Sequence, residues 1–416
     1  MASARDSFAT AQELRGSATA TVTWSRSEPF GAWIRLGDET LLAVDHTLAG
    51  RLGIPRTEAT HATRPLELHI AVTSRCPAPC EGCYLDARPD GDAPPLSTIV
   101  ERLHEAREAG VSTVAFGGGE PLTRDDLGAI AAEARRLGLV PVLTTSGIGL
   151  REEQVPALRA FAQINVSHDG AGEAYEKVRG FDGRAAAERA IRMLSAAGIP
   201  TGVNVVITRD TFDTLDSTVT HLATLGAGEI QLLRYKPGGR AAGPGYADRR
   251  LLPAQAAALF PAIARIVERR LLKVRIDCAM VPLLGGSLLA AGHGASALEA
   301  FGLFGCEAAR HLGGMRVDGS PAPCSFFAAP PALASLHGHG AEPPPRRLPL
   351  ASAWDVDPDL AAFRAYHAAL PEPCRSCPLA SVCRGGCQVV SRHASGGAFG
   401  PDPECPRVLA HRGQGA

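Results

Sequence analysis

From about residue 66 to residue 280 the chain alternates short β-like runs with amphipathic helical runs, and no other feature restricts its fold as tightly. The strand-like runs read "LELHIAV", "STVAFGG", "VPVLTTS", "QINVSHD", "GVNVVIT" and "EIQLLRY". Between them lie segments such as "PLSTIVERLHEAREAG" and "DDLGAIAAEARRLG", with apolar residues at helical spacing and glycine at several ends. Strands separated by helices imply a parallel sheet with right-handed crossovers. Six repeats in about 215 residues predict an α/β fold, a partial (β/α)6 TIM-like barrel, whose chemistry sits on the loops leaving the strand C-termini.

The flanks differ in character. Residues 1–65 contain "TATVTWSRS", "GAWIRLG" and "TLLAVD", which predict a small β meander, followed by the short helix "HTLAGRLG". From residue 291 to 416 the alternation gives way to Gly, Pro and Cys, including the loop "APPALASLHGHGAEPPPRRLPL". A region so poor in periodic apolar residues needs metal centres to fix it. The expected division is therefore 1–65, 66–290 and 291–416. The 42 basic and 43 acidic residues nearly cancel without long runs of one sign, so no nucleic-acid partner is expected. Apolar stretches are broken well before the roughly 18 residues of a membrane span, and "MASARDSFATAQELRGS" has no apolar signal core. The expectation is a cytoplasmic protein without a membrane segment.

Eleven cysteines in a cytosolic chain favour metal or catalysis over disulfides. Three of them, Cys76, Cys80 and Cys83, stand in "RCPAPCEGCYLDA", directly after the first barrel strand. A structural zinc site wants four ligands, usually in two separated pairs, and no fourth Cys or suitable His follows here. Three thiolates on an iron–sulfur cluster leave one iron open for a substrate or cofactor.

The spacing C-x3-C-x2-C with Tyr84 after the last Cys, and "FGGGEPL" after the second strand, resembles the radical S-adenosylmethionine enzymes. The resemblance implies that Cys76, Cys80 and Cys83 hold a [4Fe–4S] cluster whose fourth iron is chelated by S-adenosylmethionine. It implies that Gly117, Gly118, Gly119 and Glu120 line the methionine amine and that Tyr84 contacts adenine. Ser167 and Asp169 in "NVSHDG" match a cofactor-contacting strand end, and Arg179 in "YEKVRGFDG" matches an Arg that approaches the cofactor carboxylate. Against these stand a turn Asp and a surface ion-pair Arg. The cofactor would be cleaved reductively to a 5′-deoxyadenosyl radical that takes hydrogen from a substrate, while the protein supplies position and keeps out water.

A second group comprises Cys306, then "GSPAPC" ending at Cys324, then Cys374, Cys377, Cys383 and Cys387 spaced C-x2-C-x5-C-x3-C, and finally Cys405. This array resembles the SPASM domain of a radical S-adenosylmethionine subfamily. The resemblance implies two auxiliary [4Fe–4S] clusters, one on Cys374, Cys377, Cys383 and Cys405 and the other on Cys306, Cys324 and Cys387. Cys278 in "VRIDCAM" is either the missing ligand of the latter or a buried core thiol. Its neighbour Asp277 is either an active-site acid or a strand-end cap.

Relatives of this kind modify ribosomally made peptides, build pyrroloquinoline quinone and mycofactocin, mature sulfatases or act on aminoglycosides. Where the sulfatase-maturating branch has an Asp after the Cys of the G-x4-C element, this chain has Ser325, which lowers that reading. The resemblance favours oxidative modification or cross-linking of a peptide, with a low-potential donor such as flavodoxin or ferredoxin. The first 65 residues look short for a complete leader-peptide recognition domain, so a separate recognition protein is a further expected partner. The alternatives are a dehydrogenase or epimerase of a small molecule, such as a sugar or aminocyclitol, and a non-catalytic electron-transfer or zinc-scaffold protein.

Overall fold

The computed structural model describes residues 22–28, 31–36, 40–57, 61–327 and 348–414. The chain start and all but the last residues of the "APPALASLHGHGAEPPPRRLPL" loop lie outside them. Two compact units emerge, Met1–Thr63 and Arg64–Ala416. In the first, strands β1 (Val22–Glu28), β2 (Gly31–Leu36) and β3 (Thr40–Asp45) form an antiparallel meander in that order, followed by the helix His46–Arg51. This is the small β meander expected from the sequence.

The second unit is built on one nine-stranded sheet. The six predicted strands are β4 (Glu67–Thr73), β5 (Thr113–Gly118), β6 (Val140–Thr145), β7 (Gln163–Ser167), β8 (Thr201–Ile207) and β9 (Glu229–Arg234). They stand side by side in sequence order, each parallel to the next. A seventh parallel strand, β10 (Lys273–Ile276), extends the β9 edge. At the other edge β11 (Leu312–Met315) pairs in parallel with β4 and is itself closed by β12 (Pro321–Ala322). The cysteine-rich C-terminal segment therefore contributes to the sheet as well as standing at its end. The strand order is open, running from β10 to β12.

The two faces of this sheet have opposite chemistry. Leu68, Ile70, Val72, Val114, Phe116, Leu143, Ile164, Val166, Val203, Val205, Ile230 and Leu232 are buried among the helices Leu96–Glu108, Leu127–Arg136, Arg184–Ala196 and Leu215–Thr224. Burying each such side chain is worth about 1.5–3 kcal/mol, so this face holds the fold together. The alternate residues Glu67, His69, Gln163, Asn165, Glu229 and Gln231 face the other way and are partly exposed. Gln163 Nε2 donates to Asn165 Oδ1 (2.8 Å) and to Glu229 Oε1 (3.0 Å), and Asn165 Nδ2 to Asn204 Oδ1 (3.2 Å). A polar, partly wet inner face is what a partial barrel needs to admit a polar ligand.

Candidate active site

β4 runs directly into the three-cysteine loop and β5 into the glycine loop beside it. Backbone stitches the two together: Gly119 N–H donates to Thr73 O (2.7 Å) and Glu120 N–H to Arg75 O (2.8 Å). Such an approach excludes side chains. A Cβ on Gly118, at φ +119°, would fall 2.2 Å from Thr73 O, and one on Gly119 would fall 2.2 Å from Arg75 O. Gly117 is different, because nothing lies within 4 Å of the place its Cβ would take. Its bare backbone borders open space of the kind a ligand fills.

The Glu120 carboxylate is buried and well supplied with donors, accepting from Leu122 N–H (2.9 Å), the Thr145 hydroxyl (2.6 Å) and Ser146 N–H (2.7 Å). Burial raises its pKa in spite of these donors. It braces the glycine loop against the end of β6.

Cys76, Cys80 and Cys83 pack together with Ala78, Ala87, Ile148 and Phe181. Burial, followed by the charges of Glu120, Cys80 and Cys83, pushes the Cys76 thiol up to about 11. Burial also raises Cys80, against the pull of Arg179. The Arg179 side chain is 13% exposed; its Nε donates to Asp169 Oδ2 (2.7 Å) and its Nη1 to Cys80 Sγ (3.6 Å). Its carbonyl accepts from Glu81 N–H (2.9 Å), so Arg179 holds the cysteine loop by backbone as well. Asp169 Oδ1 accepts from Val206 N–H (2.9 Å). The pair is thus largely buried between the end of β7 and the helix Ala174–Arg179, and is neither a turn Asp nor a surface Arg. Ser167 ends β7 with its side chain on the polar inner face, level with Asn204 of β8.

Tyr84 connects the first cysteine loop to the second cysteine group. Its ring centroid lies 4.5 Å from that of Phe326, two residues past Cys324, and burial together with Cys83 and Cys324 raises its phenol well above the ordinary value. Lys236 Nζ sits 3.8 Å from the Phe326 ring centroid and pairs with Asp277. Burial opposes the charge on Asp277, but Lys236 outweighs it and holds the carboxyl below its usual range. Asp277 also accepts from Ala279 N–H (3.3 Å), capping the turn that carries Cys278. The strand-end cap is therefore the reading that its contacts support.

The second cysteine group sorts itself by mutual repulsion. The Cys278 thiol, raised first by burial and Asp277, also feels Cys306 and Cys387; Cys306 feels Cys387 and Cys324; and Cys324, pushed up to about 11, feels Cys387. Cys374, pushed up to about 12 by burial, feels Cys405 and Cys377, and Cys383 feels Cys405, Cys374 and Cys377. Cys278 thus stands with Cys306, Cys324 and Cys387. Thiols crowded in this way repel one another as thiolates unless a cationic centre takes them up. A tetrahedral zinc with bonds of about 2.3 Å would bring its sulfurs to about 3.8 Å from one another. Among the described residues no three cysteine sulfurs come within 4.8 Å of one another.

Several contributors have no motif to announce them. Arg240 Nε donates to Cys80 O (2.9 Å), its Nη1 to Asp86 Oδ1 (2.8 Å) and Ala87 O (2.9 Å), and its backbone N–H to Cys83 O (2.9 Å). The available signal was the "KPGGR" turn just after a strand end: a Cβ on Gly239 would fall 2.6 Å from Cys83 O. Ser325, where an Asp was the pattern, has its hydroxyl 3.0 Å from His69 Nδ1, and His69 Nε2 is 2.6 Å from Glu67 Oε1. His69 therefore lines the inner face, in a chain of polar contacts beside Cys324.

Comparison with known proteins agrees with this geometry. Residues 70–222 match the Radical SAM superfamily. The PqqA peptide cyclase of Gluconobacter oxydans (strain 621H) is 28% identical over 368 residues, which cover 82% of this chain and 90% of that protein. In fold the chain is similar to Streptococcus suis SuiB bound to precursor peptide SuiA, with TM-score 0.67, 17% identity and coverage of 92% of this chain and 98% of that one. It is also similar to anSMEcpe with bound AdoMet and Cp18Cys peptide, with TM-score 0.60, 16% identity and coverage of 85% and 100%. Residues 70–222 thus carry the radical SAM match, and over 82% of its length the chain is similar to a peptide cyclase.

Proposed function

We propose that this chain is a peptide maturase that oxidatively modifies or cross-links a ribosomally made peptide. The observation that carries the reading is the extent of similarity to the PqqA peptide cyclase, which at 82% of the chain reaches well outside residues 70–222. The polar, partly exposed inner face of the sheet supports it, since a peptide backbone needs donors and acceptors along its length.

In this reading Cys76, Cys80 and Cys83 hold the first [4Fe–4S] cluster, and the open backbone at Gly117 with Ser167 and Tyr84 borders S-adenosylmethionine. Bound there, the cofactor would supply a 5′-deoxyadenosyl radical after one-electron cleavage. Arg179 and Arg240 fix the cysteine loop, and Glu120 fixes the glycine loop against β6. Cys278, Cys306, Cys324 and Cys387 hold one auxiliary cluster, and Cys374, Cys377, Cys383 and Cys405 hold the other. Tyr84 and Phe326 stand between the first loop and Cys324. A flavodoxin or ferredoxin would supply the first electron, a separate protein would present the leader peptide, and the site of action would be the cytoplasm.

The test is anaerobic reconstitution with iron and sulfide, then assay with dithionite, S-adenosylmethionine and a peptide encoded beside the gene. The expected result is 5′-deoxyadenosine release together with loss of hydrogen from the peptide by mass spectrometry. No release, or release equal to that of Cys80→Ala, defeats the enzyme reading; release with an unmodified peptide sends the substrate assignment back to small molecules.

A further inference from the structure

Behind the site, on the helix side of β7, three side chains meet that the reaction does not use. His168 follows Ser167 directly and is 0% exposed, yet neither of its ring nitrogens has a hydrogen-bond partner. Its Nε2 points at Glu188 Oε1 from 3.6 Å, and His221 Nε2 meets the same oxygen at 2.9 Å. The three ligand atoms all lie within 4.8 Å of one another.

Hydrogen bonding alone leaves this cluster incomplete. A buried imidazole without a partner is left with its desolvation uncompensated. Glu188 already takes His221 at Oε1, Arg184 Nη1 at the same oxygen (3.4 Å) and Arg192 Nη2 at Oε2 (3.4 Å). Burial lowers the pKa of His168, so its ring is neutral and keeps a lone pair, as a metal ligand must. Two imidazoles and a carboxylate are a zinc donor set, and bonds of about 2.0–2.2 Å would space those ligands roughly 3.3–3.5 Å apart. The observed 2.9 and 3.6 Å straddle that figure.

We propose that His168, Glu188 and His221 form a structural zinc site, completed by water on the side of His221, whose side chain is 32% exposed. The side chains of Arg184 and Arg192 are 40% and 56% exposed and are free to swing away as the ion takes over their role at Glu188. The ion would tie the end of β7 to the helices Arg184–Ala196 and Leu215–Thr224. Through the neighbouring Asp169 and its partner Arg179 it would steady the loop at Cys80.

The experiment is metal analysis and zinc X-ray absorption on the full chain, expressed with added zinc and reconstituted anaerobically with iron and sulfide. Expected is about one zinc per chain with nitrogen and oxygen neighbours at about 2.0–2.1 Å and no sulfur at about 2.3 Å. Glu188→Gln and His221→Ala should each reduce that zinc at least tenfold while leaving the iron content unchanged. Should both variants also lose iron, the absorption spectrum of the parent protein decides. Absence of zinc, sulfur neighbours to it, or zinc undiminished in His221→Ala overturns the proposal.

Discussion

Arg179 makes contacts that a surface residue has no use for: a carboxylate on one side, a sulfur on the other and the cysteine loop on its carbonyl. Removing one partner from a buried ion pair costs about 3–5 kcal/mol, far more than the pair itself contributes. Asp169→Asn is therefore expected to destabilise the chain by about that amount in denaturant titration, and Asp169→Leu with Arg179→Met should recover part of it. An unchanged midpoint in the single variant would mean that the guanidinium finds water. Glycine offers a second residue-scale contrast. At Gly119 an added methyl meets Arg75 O at 2.2 Å, whereas at Gly117 it meets open space. Gly119→Ala should lose about four irons per chain, one cluster's worth. Gly117→Ala should keep its iron but bind S-adenosylmethionine about tenfold more weakly, a cost of about 1.4 kcal/mol. Iron analysis and calorimetric titration would separate the two.

At the scale of elements, the predicted strands were legible because each buries one face completely under helices, so alternate residues had to be apolar. β11 was not legible, and of β10 only the end before Asp277 was. Each spans four residues, too few for a period to declare itself, and β11 reads "LGGM". The same limit hid Arg240, whose contact with Cys80 O joins positions 160 apart in the chain. By contrast the cysteine and glycine loops were legible, because their ligands and close approaches lie within a few residues of one another. The helix Pro358–Ala368 carries a pH dependence that no pattern foretold. Burial, then Arg310 and Arg384, lowers His367 to about 3. The unfolded chain takes up a proton near 6.5 that the folded chain refuses, so this group lets stability stand in full above about pH 6.5. Stability then declines toward pH 3 by at most about 1.4 kcal/mol per unit. Denaturant titrations from pH 7.5 to 4.5 should show His367→Phe declining less steeply than the parent; parallel slopes would show that the ring is protonated in the folded protein.

For the whole molecule, the decisive arrangement is that the two C-terminal sets of four cysteines interleave along the chain. Cys387 stands with Cys278, Cys306 and Cys324, while Cys383 and Cys405 on either side of it stand with Cys374 and Cys377. They are interlocked in space too. Gly305 N–H donates to Val382 O (2.7 Å), and a Cβ on Gly305 would fall 2.1 Å from Cys383 O, so the Cys306 segment presses on the other set. Asp402 accepts from Cys387 N–H (3.0 Å) and from Arg234 Nη1 (2.6 Å), joining the end of β9 to this region. In the proposed reading, metal centres bound here would add their binding energy to folding, because the two are then the same quantity. Three four-iron clusters require about twelve irons per chain. Cys76→Ala, Cys80→Ala and Cys83→Ala together should leave about eight, because that loop shares no cysteine with either distant set. Cys278→Ala should shift the electron paramagnetic resonance of one auxiliary cluster and leave the first cluster's signal as it was. If the Cys278→Ala spectrum matches the parent's, Cys278 is a buried thiol and some other group completes its set; if the first-loop triple variant keeps twelve irons, the assignment of that loop is wrong.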